Sequence, residues 1–443
     1  MTLTSVQPLQ SGAPRARRIL FIHQNFPGQF KRIASHLARD PAYDVLAIGK
    51  DGCPGLPDVR TLTYKLHRGA AKETHHYARP FEAGILHGQA CLRVLLAMKE
   101  KGFVPDVIIA HPGWGDTMFV REAFPDARLV HFSEFYYHTD NADVGFDPEF
   151  PSTIDDRARV RAKNALQLLN LEACDIAVAP TQWQKSLHPK PYHEKIALIH
   201  EGIDTAYLCP NPDATFTLPN GKVLRPGDPV VTYVSRNLEP YRGFHTFMRA
   251  LPKILADNPD CDIVLAGGAD VSYGSRPADG QTWRAKMLAE VAIDPARVHF
   301  LDRIAYARYR DLLQVSAAHV YLTYPFVLSW SMLEAMACGC LVIGSDTAPV
   351  TEIIRDGENG LLVDFFDTDA IAGAVSRALR TPAQFAPVRA RAVESIKAGY
   401  AVEEGIAGYR RLIDAAPAAI CGQSAAPDGA PVAGVMPAPA RVR

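Results

Sequence analysis

The chain has 443 residues, enough for about two to four domains of ordinary size. Apolar residues make up 48% and charged residues 21%, as in globular proteins that bury sizeable cores. The formal net charge of −1 argues against a protein that binds duplex nucleic acid, which would carry a basic excess, so we expect no nucleic-acid partner.

Both ends of the chain are poor in residues that could form a core. Residues 1–15 are rich in Ser, Thr, Gln, Pro and Gly, and residues 417–443 in Ala, Pro, Gly and Val, so we expect both segments to be disordered. Neither the apolar stretch of a secretory signal nor a run of roughly 18 apolar residues, the length of a membrane-spanning helix, is present. We therefore expect a cytoplasmic protein, and the basic Arg15–Arg18 segment leaves contact with the inner face of a membrane open.

From residue 16 to residue 206, short apolar runs alternate with helical patterns. The runs that predict strands are Arg18–His23, Tyr43–Ile48, Val107–Ala110, Ala127–Phe132 and Ile176–Ala179. Helices are predicted between them, among others over Gly84–Lys101 and Thr153–Cys174. Because strands that alternate with helices form parallel sheets covered on both faces, we predict a Rossmann-like domain here.

The alternation pauses at Leu208–Asp228, where Pro, Asn, Asp and Gly are frequent, and we place the domain boundary there. A second series of strands is predicted at Pro229–Val234, Asp262–Ala266, Val298–Leu301, His319–Leu322, Leu341–Ile343 and Gly360–Val363. Residues 207–392 therefore form a second Rossmann-like domain, and residues 393–416 a C-terminal helix that packs back on the first domain. Ligands of open α/β sheets bind beyond the carboxyl ends of the strands, so we predict a site in the cleft between the domains.

The eight cysteines are scattered and include no Cys-x-x-Cys pair, so we expect them to be reduced and without zinc. Asp260 and Asp262 form an Asp-x-Asp pattern, but they precede their strand and so lie at the amino edge of the sheet, away from the cleft. We expect neither a metal nor a cofactor.

The richest cluster of candidate residues is Tyr324–Gly339, where a strand is followed by a loop and then by a helix that begins near Ser331. Free backbone N–H groups at such a helix start suit a phosphate, which makes Ser331, Met332 and Leu333 candidate ligand contacts. Glu334 is placed in the first turn. A structural alternative is a capping box, in which Ser331 and Glu334 only satisfy the helix end.

A second cluster, Tyr233–Gly243, again leads from a strand into a helix. Arg236 and Arg242 lie in the connecting loop, where two guanidinium groups could clamp a diphosphate with bidentate hydrogen bonds. The alternative is a pair of solvated surface arginines, with Glu239 as their salt-bridge partner.

Weaker signals follow other strands. Gly28 comes after the first strand of the first series and Gly267 after the second strand of the second series, and each would let a ligand approach the backbone. The full Gly-x-Gly-x-x-Gly pattern is absent, which argues against a nicotinamide or flavin enzyme. His111 follows the strand Val107–Ala110 and would point to the cleft, although a lone histidine is also common in turns and cores.

Taken together and in this order, these residues resemble glycosyltransferase family 4. The runs Leu333–Gly339 and Glu352–Val363 match the family closely, and Ala179–Trp183 and His200–Asp204 resemble the end of its first domain. The resemblance implies the GT-B fold, two Rossmann-like domains facing across a cleft, and transfer of a sugar with retention of anomeric configuration. It also implies a nucleoside-diphosphate sugar as donor and a hydroxyl group as acceptor.

The resemblance also implies roles for the candidate residues. Glu334 would accept hydrogen bonds from the donor ribose, and Ile304 would lie in the loop that meets the nucleobase. Arg236 matches the phosphate-binding arginine, and Arg242 stands where the family usually has a lysine. Both would stabilise the leaving diphosphate, which can replace a metal.

Two further residues are assigned by the resemblance, and one position departs from it. Gly28 would lie near the diphosphate and the acceptor, and His111 near the reacting sugar. Phe326 occupies the position of a glutamate that usually contacts the donor sugar. A sugar-nucleotide epimerase of the same fold and a non-catalytic nucleotide-sugar-binding protein therefore remain alternatives to a transferase. The donor base, the sugar, the acceptor and the oligomeric state stay open.

Overall fold

The computed structural model describes residues 15–415. The terminal segments predicted to be disordered fall outside this range, apart from Arg15. Within it, the prediction of two parallel α/β units is confirmed. No helix in residues 15–415 combines the length and the apolar character needed to cross a bilayer.

The first unit is a seven-stranded parallel sheet with the strand order β3-β2-β1-β4-β5-β6-β7. Its strands are β1 (Arg17–Ile22), β2 (Tyr43–Lys50), β3 (Arg60–Tyr64), β4 (Val107–Ala110), β5 (Arg128–Phe132), β6 (Ile176–Ala179) and β7 (Ile196–Leu198). The two strands absent from the prediction, β3 and β7, form the sheet edges. β3 is partly exposed and mixes polar with apolar residues, and β7 has only three residues, so neither shows the longer apolar run that marks a central strand.

Helices cover both faces of this sheet. They are α1 (Lys31–Ala38), α2 (Arg79–Glu100), α3 (Val120–Ala123), α4 (Ile154–Ala173) and α5 (Gln182–Ser186). The start of α4 shows how the sequence sets these boundaries: the Thr153 hydroxyl accepts from the backbone N–H of Asp156, whose carboxylate accepts from the backbone N–H of Thr153.

The second unit is a six-stranded parallel sheet with the order β12-β11-β10-β13-β14-β15. The predicted boundary segment contains a hairpin, β8 (Phe216–Thr217) and β9 (Val223–Leu224), which packs on this unit. The sheet strands are β10 (Val230–Asn237), β11 (Asp262–Gly268), β12 (Val298–Leu301), β13 (Ala318–Tyr321), β14 (Leu341–Ser345) and β15 (Leu361–Val363). The helices are α6 (Phe244–Asp257), α7 (Trp283–Glu290), α8 (Tyr306–Gln314), α9 (Trp330–Ala337), α10 (Ala348–Thr351) and α11 (Thr368–Arg380).

Two further helices end the described chain, α12 (Ala386–Gly399) and α13 (Val402–Asp414). The predicted boundary at residue 393 falls inside α12, and this helix packs on α9 of the second unit. The chain returns to the first unit at Ala401, which bridges to Ile203, and α13 then packs on α1. Its Tyr409, Leu412 and Ile413 are buried in the core of the first unit, which holds the two units together.

Candidate functional site

In both sheets the strand order reverses direction at one point, and the candidate residues gather there. The reversal lies between β1 and β4 in the first sheet and between β10 and β13 in the second. Connections from neighbouring strands leave such a point in opposite directions and open a crevice at the carboxyl edge. His111 follows β4, and Arg236 and Arg242 lie at the end of β10 and just after it.

At the second switch point lies a small pocket with a volume of about 60 Å³. Arg236, Arg242 and Ser331 all line it, so the fold brings together side chains from two stretches separated by some 90 residues of sequence. Its other polar lining residues are Ser235, Asn237, Glu239, Tyr273, Tyr321 and Ser329. A space of this size suits one phosphate-sized group and not a whole nucleotide sugar.

The two arginines are held differently. Arg242 is buried, and its Nη1 donates to the Thr323 hydroxyl at 2.7 Å, the Val327 carbonyl at 3.0 Å and the Tyr321 hydroxyl at 3.2 Å. The hypothesis of a solvated surface side chain is therefore wrong for Arg242. Arg236 is exposed and reaches the same pocket from its rim. One guanidinium is preorganised, and the other is free to adjust to an incoming anion.

Glu239 is not the salt-bridge partner of these arginines. Its carboxylate is buried, and it accepts hydrogen bonds from the backbone N–H groups of Ser272, Tyr273 and Gly274 at 3.0 to 3.2 Å. Glu239 therefore anchors a loop of the second unit, and this loop places the Tyr273 ring 5.4 Å from the Arg242 guanidinium carbon. The local sequence order suggested an ion pair, but unpaired backbone N–H groups from a distant loop meet the carboxylate instead.

The helix start predicted at Ser331 lies one residue earlier. Helix α9 begins at Trp330, and the hydroxyl of Ser329 accepts from the Ser331 N–H, so Ser329 is the N-cap. The capping-box interpretation of Ser331 and Glu334 is therefore wrong, because Glu334 falls in the second turn of the helix. The side chains of Met332 and Leu333 are fully buried in the core, so only their backbone could meet a ligand.

The Glu334 carboxylate accepts hydrogen bonds from two tyrosine hydroxyl groups. Its Oε1 accepts from Tyr306 at 2.7 Å and its Oε2 from Tyr309 at 2.9 Å. Arg32 of α1 approaches Oε1 to 3.8 Å and also donates to the Gly202 carbonyl, so this carboxylate lies at the contact between the two units. Tyr309 is buried, whereas Tyr306 is 45% exposed and could be displaced by a ligand.

Two other predicted ligand contacts, Ile304 and Gly267, do not line this pocket. Ile304 is half-buried in the loop between β12 and α8. Gly267 is buried, and a Cβ atom there would lie 2.7 Å from the Ser235 carbonyl oxygen. The packing of β10 on β11 alone accounts for a glycine at position 267, and its role in ligand binding stays a prediction.

At the first switch point, Gly28 and His111 surround a histidine that the sequence did not single out. Gly28 has φ +47°, and a Cβ atom there would overlap the imidazole ring of His23. The imidazole of His111 is buried, stacks on Trp114 with ring centroids 4.6 Å apart and lies 5.2 Å from the ring of His23. The glycine therefore allows the loop to close over His23.

Hydrogen bonds connect His23 to two further residues absent from the predictions, Gln29 and Glu134. The ring Nε2 of His23 lies 2.8 Å from Oε1 of Gln29, whose Nε2 donates to Glu134 at 2.9 Å. A signal was present in the sequence, since Glu134 follows β5 by two residues at the same carboxyl edge as His111. Burial, with the nearby His111, lowers the pKa of His23 to about 3, so this ring is neutral. Burial would raise the pKa of the Glu134 carboxyl, but the nearby His111 and the amide of Gln29 favour the carboxylate and hold its pKa below the usual range.

One group of side chains has the composition of a metal site. Carboxylate and imidazole atoms of Asp147, Glu149 and His245 lie within 4.8 Å of one another. These atoms already have partners: Asp147 accepts from His245 at 2.9 Å and from Tyr324 at 2.7 Å, and Glu149 pairs with Arg249. The group joins the first unit to the second and serves as a structural contact.

The three arginines of the basic segment near the N-terminus each face a carboxylate. Arg15 pairs with Asp106 at 2.7 Å, Arg17 with Asp414 at 3.2 Å and Arg18 with Asp44 at 3.8 Å. Contact with a membrane through this segment stays a prediction, and these partners would compete with anionic headgroups for the same charges.

Glu201, in the connection between the two units, is a buried carboxyl group. Burial, with the charge of Glu134, raises its pKa to about 7, while Arg32 acts in the opposite direction; the neighbouring imidazole of His200 is kept neutral by burial. Because the folded pKa lies above the usual value of 4.5, the folded protein holds a proton between these pH values that the unfolded chain has lost. Stability should therefore fall as the pH rises through about 7.

Glu201→Gln replaces this carboxyl group with a neutral side chain of the same shape. The variant should exceed the parent protein in free energy of unfolding by about 3 kcal/mol at pH 8, and the two should converge near pH 4. Urea unfolding at both pH values measures the difference. Equal stabilities at pH 8 would show that folding does not raise the pKa of Glu201.

Comparisons with known proteins agree with this geometry. Residues 41–208 match the family described as "Glycosyl transferase family 4 group", and residues 228–381 match "Glycosyl transferases group 1". A D-inositol 3-phosphate glycosyltransferase of Rhodococcus erythropolis is 30% identical over 174 residues, 38% of this chain and 37% of that protein. A GDP-mannose-dependent alpha-(1-6)-phosphatidylinositol monomannoside mannosyltransferase of Mycolicibacterium smegmatis is 27% identical over 237 residues, 50% of this chain and 57% of the relative. Each match spans less than two thirds of the relative.

Solved structures share the fold at low sequence identity. Sucrose-phosphate synthase from Thermosynechococcus elongatus superposes with a TM-score of 0.68 at 20% identity, over 89% of this chain and 98% of that one. The Anabaena protein HepE, in complex with UDP-glucose, gives 0.62 at 16% identity, over 89% and 99%. The likeness extends over both units and so includes their arrangement.

Proposed function

Because this chain belongs to glycosyltransferase family 4 and has its two-domain GT-B fold, we propose that it transfers a sugar from a nucleoside-diphosphate sugar to an acceptor hydroxyl group, with retention of anomeric configuration. The observation that carries the proposal is the convergence of Arg236, Arg242 and the start of α9 on one pocket. Such a pocket suits a phosphate group of the donor's diphosphate.

The chemistry follows from where charge develops. When the bond between the anomeric carbon and the diphosphate breaks, negative charge builds up on the leaving phosphate oxygens. Arg242, fixed by three hydrogen bonds, would stabilise that charge without having to reorganise, and Arg236 would approach it from the rim. This role needs no metal ion, and we propose a reaction without one.

The two domains divide the substrates between them in this proposal. Glu334 would hold the ribose hydroxyl groups and Ile304 would lie beside the base, whereas Gly28 and His111 of the first domain would face the transferred sugar and the acceptor. Arg32 already connects α1 of the first domain with Glu334 of the second. Closure of the domains on a bound donor would exclude water and orient the acceptor hydroxyl group.

A donor screen tests the proposal. Thermal unfolding with UDP-, GDP- and ADP-sugars should reveal one that stabilises the protein, and this donor should release its nucleoside diphosphate when a pool of hydroxyl acceptors is added. Isomerisation of the donor without an acceptor would instead indicate an epimerase, an activity that none of the relatives quoted above carries in its name. Stabilisation without turnover for any acceptor would indicate a binding protein.

Tyr306→Phe tests the position of the ribose. In the structure the Tyr306 hydroxyl donates to Oε1 of Glu334, so a ribose hydroxyl that binds this oxygen must displace the tyrosine hydroxyl. Removing the hydroxyl should raise the affinity for the nucleoside diphosphate selected by the screen about 5-fold, a typical contribution of one hydrogen bond. Isothermal titration calorimetry measures the change, with inorganic pyrophosphate, which lacks a ribose, as the probe that should not respond.

A matched control exists for this prediction. Tyr309→Phe removes the other hydroxyl from Glu334, but Tyr309 is buried, so it should lower stability without raising nucleotide affinity. If Tyr306→Phe leaves the nucleoside diphosphate affinity unchanged, the ribose does not bind at Oε1 of Glu334.

A further inference from the structure

At the first switch point, a chain of hydrogen bonds leads from His23 through Gln29 to Glu134. The Asn25 N–H donates to Nδ1 of His23, so the proton of this neutral ring is on Nε2, which donates to Gln29. The amide of Gln29 then donates to Oε1 of Glu134. The Gln184 side chain donates to the backbone carbonyl of Glu134 and fixes its main chain.

His111 points at the second oxygen of the same carboxylate. Its Nδ1 accepts from the Gly113 N–H at 3.1 Å, which places a proton on Nε2 when the ring is neutral. That Nε2 lies 3.5 Å from Oε2 of Glu134, too far for a good hydrogen bond, and it has no other partner among the described residues although the ring is 4% exposed. The Glu134 side chain is 35% exposed. The Nε2–H group of His111 and the Oε2 atom of Glu134 are therefore a neighbouring hydrogen-bond donor and acceptor, and both can bind a further group.

A hydroxyl group fits this pair, since it can donate to Oε2 and accept from Nε2–H at once. On the side of the second domain, the neighbouring surface is aromatic. The Phe326 ring lies 4.6 Å from the ring of Phe135 and 4.9 Å from that of Tyr273, which lines the diphosphate pocket. Glu134 directly precedes Phe135 in the loop that meets these aromatic rings of the second domain.

We propose that Glu134 binds a hydroxyl group of the transferred sugar, with His111 donating to the same hydroxyl oxygen. The proposal rests on the proposed function and deepens it. Glu134 thus gives the sugar a carboxylate from the first domain, in place of the one that is missing at Phe326 in the second domain. A sugar-binding residue of this kind selects among donors that share a base and differ in the orientation of one hydroxyl group.

Glu134→Gln tests the proposal through binding, without an acceptor. The amide keeps the shape, but its NH₂ group would face either Gln29 or His111, both of which donate, so the hydroxyl loses its charged acceptor. The affinity for the sugar nucleotide should fall about 10-fold or more, the contribution of a hydrogen bond to a charged group, while the affinity for the nucleoside diphosphate stays unchanged. Glu134→Asp keeps the charge and should retain part of the affinity for the sugar nucleotide.

Donors that lack single hydroxyl groups identify the partner. One deoxy donor should bind the parent protein more weakly than the complete donor, yet bind Glu134→Gln equally well, because the variant no longer contacts that hydroxyl. Glu122→Gln is the matched control: Glu122 is exposed on α3 of the same domain, which leads into the amino end of β5, and its replacement should leave both affinities unchanged.

The outcomes separate the two proposals. If no nucleoside diphosphate binds the parent protein, the proposed function fails. If nucleoside diphosphates bind but Glu134→Gln binds the sugar nucleotide as tightly as the parent does, Glu134 does not contact the sugar. A change confined to the KM of the acceptor would also overturn the inference and would assign the carboxylate to the acceptor.

Discussion

Arg236→Ala should lower turnover about 100- to 1,000-fold, the loss typical of removing one donor to a developing oxyanion. Arg236 is exposed and lines the pocket where the leaving diphosphate is proposed to lie. The loss should appear in kcat more than in KM, because the charge on the leaving group is greatest in the transition state. Steady-state rates of nucleoside diphosphate release with the donor from the screen measure it.

The same variant should unfold at the same urea concentration as the parent, since an exposed side chain contributes little to stability. Arg355→Ala is the control: Arg355 is exposed in the same domain, 3.8 Å from Glu358 and outside the pocket, and its loss should not affect the rate. Arg236→Lys should keep part of the activity, because it retains the charge and loses the planar fork. A rate within 2-fold of the parent for Arg236→Ala would remove this residue from the site.

Asp147→Ala should lower the free energy of unfolding by about 3 kcal/mol, the scale of leaving buried polar partners unsatisfied. Asp147 is buried and holds together His245 and Tyr324 of the second domain, which donate to one carboxylate oxygen at 2.9 and 2.7 Å. These hydrogen bonds keep the pKa of Asp147 below its usual value despite burial, so the carboxylate is charged. Urea unfolding at neutral pH measures the loss.

Asp147→Ala should also loosen the contact between the two domains, because Asp147 lies in the loop between β5 and α4 that crosses to the second domain. Asp140→Ala in the same loop removes an exposed ion pair with Arg157 and should change stability little. Asp147→Asn keeps the shape of the side chain and should cost less than Asp147→Ala. If Asp147→Ala is as stable as the parent, the hydrogen bonds of Asp147 do not hold the two domains together.

Much of the fold was predictable because its signals are local. Continuous apolar runs mark the central strands β1, β4 and β10, and a Thr153 cap marks the start of α4. Residues that follow such strands must lie at the carboxyl edge of a parallel sheet, which is why Arg236, Arg242 and His111 could be placed in the cleft region before any coordinates. Edge strands and the first residue of α9 could not be placed as well, since their signals are short.

The sequence by itself determined the two α/β units, the order of their strands along the chain and the family. Only the tertiary structure decided which side chains meet: that Arg242 is buried under Thr323 and Val327, and that Glu239 binds backbone N–H groups and not arginines. It also decided that His23 and Gln29 reach Glu134 across more than 100 residues of sequence, and that His111 points at the same carboxylate. Such contacts depend on strand order and on the geometry of loops between strands, and neither is encoded in the spacing of residues along the chain.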